Sequence, residues 1–186
     1  MNEHNRSPRT PIPSTPWQVP VAVEDVAEAG AQIELVADAE ARAAVARMAG
    51  LRELPRLEAS FALTRHGSGG LKVIGKVSAT VGQTCVVTLE PLANEIVEDV
   101  HLIFMPRASG APGEAETGES RAADDTIEPL VGGIVDLGAI ATEFLVLGLD
   151  PYPRKAGAVF QPPRQMAADE SPFAALAPLK QSGNDL

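Results

Sequence analysis

Residues 71–92 read L-K-V-I-G-K-V-S-A-T-V-G-Q-T-C-V-V-T-L-E-P-L, and this stretch limits the possible folds more than any other. Leu71, Val73, Val77, Ala79 and Val81 are apolar at alternate positions, and Lys72, Lys76, Ser78 and Thr80 lie between them. That is the period of a strand with one dry and one wet face. Cys85, Val87 and Leu89 keep the same parity beyond Gly82. A straight strand through Leu89 would span roughly 60 Å at ~3.3 Å per residue, too long for a small domain. The stretch is therefore expected to bend or fold back near Gly82, where a missing Cβ permits a bulge. Pro91 has no N–H to give a ladder and is expected to end it.

The flanks supply partners for that strand. Leu57, Ala59, Phe61 and Leu63 alternate in the same way, and H-G-S-G-G at 66–70 is a flexible turn joining the two, so an antiparallel hairpin is expected. Its glycines carry no phosphate-loop pattern. Ile96, Val100, Leu102 and Phe104 predict a further strand ending at Pro106. Residues 17–23 predict a short first strand with Trp17, Val19, Val21 and Val23 on one face, and residues 32–36 a weaker second one.

Two helices are expected. Asp38 caps the first, whose stripe is Ala41, Ala44, Val45 and Met48, with Met48 read as core and Gly50 as a left-handed stop. Asp136 caps the second, with Leu137, Ile140, Ala141, Phe144 and Leu147 recurring at spacings of three or four. Thr142 and Glu143 are its expected wet positions, and Gly148, Pro151 and Pro153 end it.

Composition sets the rest. One domain with tails fits 186 residues. Residues 1–16 hold four prolines and are expected to be a disordered arm, in which Arg6 and Arg9 face solvent. Residues 107–126 are rich in Glu and Asp without bulky apolar side chains and predict a disordered acidic loop. The tail, 154–186, is expected to be irregular, with a short apolar helix near 172–180. A net charge of −10 opposes binding to phosphate backbones and favours basic partners. Arg154, Lys155, Arg164 and Lys180 are the candidate partner-binding cations. No apolar run is long enough for a membrane span and no signal peptide is visible, so the expected compartment is the cytoplasm.

No catalytic, cofactor or metal residue is expected. His4, His66 and His101 lack a zinc spacing, and no G-x-S-x-G elbow is present. Cys85, the single cysteine, falls on the apolar parity and reads as a buried inert thiol.

Three segments together resemble the YceD family, bacterial proteins named for accumulation of large-subunit ribosomal RNA, with chloroplast relatives. They are Q-T-C-V-V-T-L-E-P-L at 83–92, E-P-L-V-G-G-I-V-D-L-G-A-I-A-T-E-F-L-V-L-G-L-D-P-Y-P-R at 128–154, and P-F-A-A-L-A-P-L-K at 172–180. The resemblance is to the type found in alphaproteobacteria and extends from about Val19 to Lys180. It implies a part in production or maturation of the large-subunit (23S) ribosomal RNA and in assembly of the large subunit, and it implies no catalytic residues. Many relatives carry C-x-x-C where this chain has Cys85-Val86-Val87-Thr88, so zinc stabilisation is not expected and apolar packing is expected to join the halves. The expected fold is therefore α+β: a bent antiparallel sheet or partial barrel over residues 17–153, with two packed helices and disordered tails. The expected function is a non-enzymatic ribosome-assembly factor that binds a basic ribosomal protein or an assembly intermediate. Direct binding of precursor RNA is the alternative, and a processing enzyme is the third possibility.

Overall fold

The computed structural model describes residues 15–106, 126–160 and 162. The elements in order are β1 (Pro20–Ala22), a 3-10 turn (Val23–Asp25), β2 (Ala31–Val36), α1 (Ala39–Met48), β3 (Glu53–His66), β4 (Gly70–Thr84), β5 (Pro91–Pro106), β6 (Thr126–Leu130), β7 (Ile134–Asp136) and α2 (Leu137–Leu147). The fold is α+β. Five strands form one open sheet in the order β2-β3-β4-β5-β6, and β1 and β7 form a separate ribbon. The sheet is antiparallel except at its last pair, β5 and β6, which are parallel. Neither that parallel pair nor the β1–β7 ribbon was expected from the alternation, because β6 and β7 hold five and three residues, too few to display a period.

The expected hairpin forms, with His66 opposite Gly70 and Phe61 opposite Gly75. Gly67 and Gly69 supply the positive φ its turn needs, +52° and +87°. The expected fold-back occurs, but beyond Gly82, which itself lies within the paired part of β4. β4 and β5 pair without interruption from Leu71–Phe104 to Thr84–Pro91. The irregularity lies instead on the neighbouring strand, where the register slips between Glu53 and Arg56. A Cβ on Gly82 would run into the Glu53 side chain, so this glycine makes room for a partner's bulge rather than for its own. The chain reverses over residues 85–90, which takes Cys85, Val87 and Leu89 out of the strand. Pro91 opens β5, a first-residue position where its missing N–H costs no ladder bond.

One face of the sheet is dry. Phe61, Leu57, Leu63, Leu71, Val73, Val77, Val81 and Val100 are almost wholly excluded from solvent. At about 1.5–3 kcal/mol for each large apolar side chain buried, these positions dominate the stability of the domain. α1 packs on β3, and α2 packs on β4 and β5. The other face carries Arg56, Glu58, Lys76, Thr80, Glu95 and Asp99. The two faces follow from the two parities already present in residues 57–63 and 71–81.

Both helix starts are as expected. Asp38 accepts from Ala41 N at 2.8 Å. α1 ends in a Schellman arrangement: Leu51 N donates to Ala46 O, and Gly50 N to Arg47 O, with Gly50 at φ +66°. The helix faces are rotated from the expected ones. On α1 the buried residues are Ala41, Val45 and Ala46, while Met48 is 53% exposed. On α2, Thr142 and Leu145 are buried, Phe144 is half-buried and Leu147 is 70% exposed. Thr142 can be buried because its hydroxyl donates to Gly138 O at 2.8 Å, satisfying its polar group within the helix.

The first strand is shorter than expected, since Val23 enters the 3-10 turn. Its approach is fixed by Asp136, whose Oδ1 accepts from Val19 N, Gly138 N and Ala139 N at 2.8, 3.0 and 3.1 Å. One carboxylate thus caps α2 and ties the N-terminal segment to it. Asp136→Ala is expected to cost about 2 kcal/mol, the upper end for a lost cap, because a third N–H is also orphaned. Asp38→Ala, which frees a single donor, should cost about 1 kcal/mol. Urea melts of the two variants check the order, and equal costs would show that the two additional N–H contacts of Asp136 contribute nothing.

The expected arm 1–16 and acidic loop 107–126 lie almost wholly outside the described residues, as does the expected helix near 172–180.

Candidate functional site

Of the four candidate cations, Arg154 and Lys155 are described, while Arg164 and Lys180 lie outside the described residues. The two described ones sit where the 85–90 reversal meets the segment after α2. Val86 N donates to Pro153 O at 2.9 Å, and Gln83 Nε2 to Asp150 O at 2.9 Å. Within the reversal, Cys85 N donates to Glu90 O and Leu89 N to Cys85 O. Leu89 takes a positive φ of +61°, rare for a bulky residue.

Cys85 is the centre of this junction. Its side chain is buried, and its Sγ accepts from two backbone N–H groups, Lys155 and Thr88, each at 3.4 Å. One donor comes from each side of the junction, so the sulfur joins the reversal to the segment after α2. Thr88 stands where the resemblance implies a second cysteine. Its N–H goes to Cys85, and its hydroxyl donates to Glu90 Oε2 at 3.2 Å. Lys155 Nζ also meets Glu90 Oε2, at 3.0 Å. The two halves are therefore joined here by polar contacts as well as by the apolar packing expected. The Lys155–Glu90 pair is half-exposed and contributes little by itself.

These contacts move two titrations. The Lys155 ammonium, then the Thr88 hydroxyl, hold Glu90 below the usual carboxylate range. The Lys155 N–H, aided by Thr88, lowers the Cys85 thiol to about 6 against the opposing effect of burial. A thiol lowered on folding adds stability that is complete above its unfolded value, about 8.5, and is lost as pH falls through about 6. Thiolate absorbance of the native protein is expected to rise with a midpoint near 6, and that of the urea-unfolded protein near 8.5. Burial should keep the native thiol slow toward bulky disulfide reagents at every pH. A single midpoint near 8.5 in both states would show that the two N–H donors do not reach the sulfur.

Most other described cations are occupied. Arg56 bonds Glu95 at 2.6 Å and Glu58 at 3.2 Å, as well as Ser78 and Thr80. Lys76 meets Asp99 at 2.9 Å. Arg65 donates to the carbonyls of Val26 and Glu24. Arg42 donates to Ala37 O. The exposed Arg47 and Arg52 have no carboxylate partner among the described residues, and with Arg42, Glu40 and Glu53 they line one shallow groove along α1. Helical spacing does not group Arg52 with Arg42 and Arg47, because Arg52 follows the Gly50 stop and the Schellman turn brings it back beside the helix.

The fold and this junction define an α+β protein built on an open, one-sidedly dry sheet, with the segment after its second helix tied to a strand reversal by hydrogen bonds from Val86 and Gln83, by the Lys155–Glu90 pair and by the Cys85 sulfur. A model of the YceD family, described as large ribosomal RNA subunit accumulation protein, matches residues 73–180, more than half of the chain. The chain belongs to the YceD family. The matched region begins within β4, so β1, β2, α1 and β3 lie before it, a later start than the expected one near Val19. No curated protein and no solved structure gives a significant match. No helix among the described residues is long and apolar enough to cross a membrane.

Proposed function

We propose that this protein supports accumulation of the large-subunit ribosomal RNA as a cytoplasmic assembly factor, without catalysis of its own, by holding a basic ribosomal protein or an assembly intermediate. The family description supplies the link to the large ribosomal RNA. The observation that carries the partner class is electrostatic. The chain has a net charge of −10, and Arg56, Lys76 and Lys155 are already paired with carboxylates. A phosphate backbone would have to displace those carboxylates, whereas a basic protein meets the excess acid directly.

A second reading, direct contact with precursor RNA, is favoured by Arg42, Arg47 and Arg52 on one groove, where they outnumber Glu40 and Glu53. Three phosphates neutralised there would give a salt slope of about −2 on single-stranded RNA, where each contact contributes about −0.7. The two readings separate in parallel titrations of the full chain at physiological salt, one with free large-subunit ribosomal RNA and one with RNA-free large-subunit ribosomal proteins. Tighter binding to protein is expected. Tighter binding to RNA, lost in Arg42→Ala/Arg47→Ala/Arg52→Ala, would replace the first reading by the second. Turnover of precursor RNA by the purified protein would overturn both.

A further inference from the structure

Exposed apolar side chains gather around a groove between β5, β6 and α2. The groove encloses about 410 Å³. Leu102, Phe104, Ile140 and the half-buried Phe144 form its floor. Val131, Ile134 and Leu147 stand on its lip, exposed by 67%, 52% and 70%. Large apolar residues gathered in this way on a charged surface mark a binding face.

The polar groups at the groove share one sign. Glu128, Asp136 and Glu143 line it, and no Lys, Arg or His does. Asp136 is committed to its three N–H donors. Glu128 and Glu143 have no hydrogen-bond or ion-pair partner among the described residues. They lie on different elements, β6 and α2. An apolar floor between two unpaired carboxylates fits a ligand with apolar anchors and flanking cations.

Resting on the assembly-factor reading above, we infer that this groove is the docking surface for a segment of a basic large-subunit ribosomal protein, one whose apolar side chains enter between β6 and α2 while Lys or Arg residues on either side meet Glu128 and Glu143. The charges disfavour the chain's own apolar segment at 172–180 as the occupant. Asp169 and Glu170 precede that segment closely and would be brought toward the acidic rim, with Lys180 as the one cation to offset them. Apolar burial gives such a contact its lifetime, and the carboxylates steer the approach and reject acidic competitors.

The test uses the full chain with photoreactive p-benzoylphenylalanine in place of Leu147 and, as a control on the open sheet, in place of Val36. The probe is RNA-free total protein of the large ribosomal subunit. Crosslinking from position 147 and not from 36 is expected, to a basic protein and within a segment of apolar residues flanked by Lys or Arg. The affinity of that protein, measured singly, should fall about tenfold in Glu128→Lys/Glu143→Lys and in Leu147→Ser, with weakened salt dependence in the charge variant. Unchanged melting temperatures would show that these surface variants fold. Undiminished binding in both variants would remove the groove from the interaction and leave the assembly-factor reading standing. A crosslink from 147 to residues 172–180 of the same chain would assign the groove to the tail and overturn the inference. Absence of binding by any large-subunit protein to the unmodified chain would overturn both.

Discussion

Leu145→Ala is expected to destabilise the protein by about 2–5 kcal/mol, and Phe144→Ala by clearly less. The two residues are neighbours on α2 (Leu137–Leu147), and size alone would rank the phenylalanine first. Burial reverses the order. Leu145 is fully excluded from solvent and belongs to the central core, whereas Phe144 lies at its margin on the groove floor. Truncating Leu145 leaves a cavity beneath the helix that neighbouring side chains can fill in part only, whereas water can reach the space left by Phe144. Glu143→Ala, at an exposed position, should change stability by a few tenths of a kcal/mol. Urea unfolding of the three variants gives the ranking directly. A loss at Phe144 equal to or larger than that at Leu145 would mean that α2 is rotated by most of a residue from the orientation described.

That rotation also shows what was legible in the sequence. Where a strand has one wet face, period-two alternation names the buried residues correctly, as it does for Leu57 to Leu63 and Leu71 to Val81. The helix starts were legible too, because Asp38 and Asp136 are capping residues placed just before apolar runs. The face of α2 was not. Its sequence is apolar nearly all round, so a spacing of three or four can be drawn through Phe144 and Leu147 as easily as through Leu145. The buried Thr142 adds to the ambiguity, since its hydroxyl is satisfied by a helix carbonyl that no spacing rule reveals. The exact position of the reversal, at 85–90 rather than at Gly82, was hidden for a related reason. Cys85, Val87 and Leu89 continue the strand's parity, yet Cys85 is held by N–H donors from Thr88 and from Lys155, seventy positions away. A contact of that sequence separation leaves no local signature. The same holds for the groove beside α2, whose two carboxylates come from β6 and α2 and line one groove through packing alone.

The other large effect is expected at the centre of the sheet, where Phe61 on β3 lies directly opposite Gly75 on β4. Phe61 is wholly buried, and its ring occupies the space that a side chain at 75 would take. A Cβ placed on Gly75 would stand 2.5 Å from Phe61 Cδ1 and 3.1 Å from Phe61 Cα, and closer still to the carbonyl oxygen of Ser60. The conflict with the ring can be relieved by a rotamer change. The conflict with the backbone oxygen cannot, unless the two strands move apart and lengthen ladder bonds. Phe61→Ala is therefore expected to cost about 3–5 kcal/mol through the cavity it opens. Gly75→Ala should cost about 1–3 kcal/mol or more through overpacking, although alanine has the better intrinsic strand propensity. The double variant should be more stable than the sum of the two losses predicts, by about 0.5–3 kcal/mol, because removing the ring takes away one of the three contacts that crowd the new methyl group. The Ser60 obstacle persists, so the coupling should not cancel the whole cost of Gly75→Ala. Denaturant melts of the four proteins complete the cycle. Strict additivity would show that the ring does not occupy the space above Gly75, and a stabilising Gly75→Ala would show that the β3–β4 register differs from Phe61 opposite Gly75.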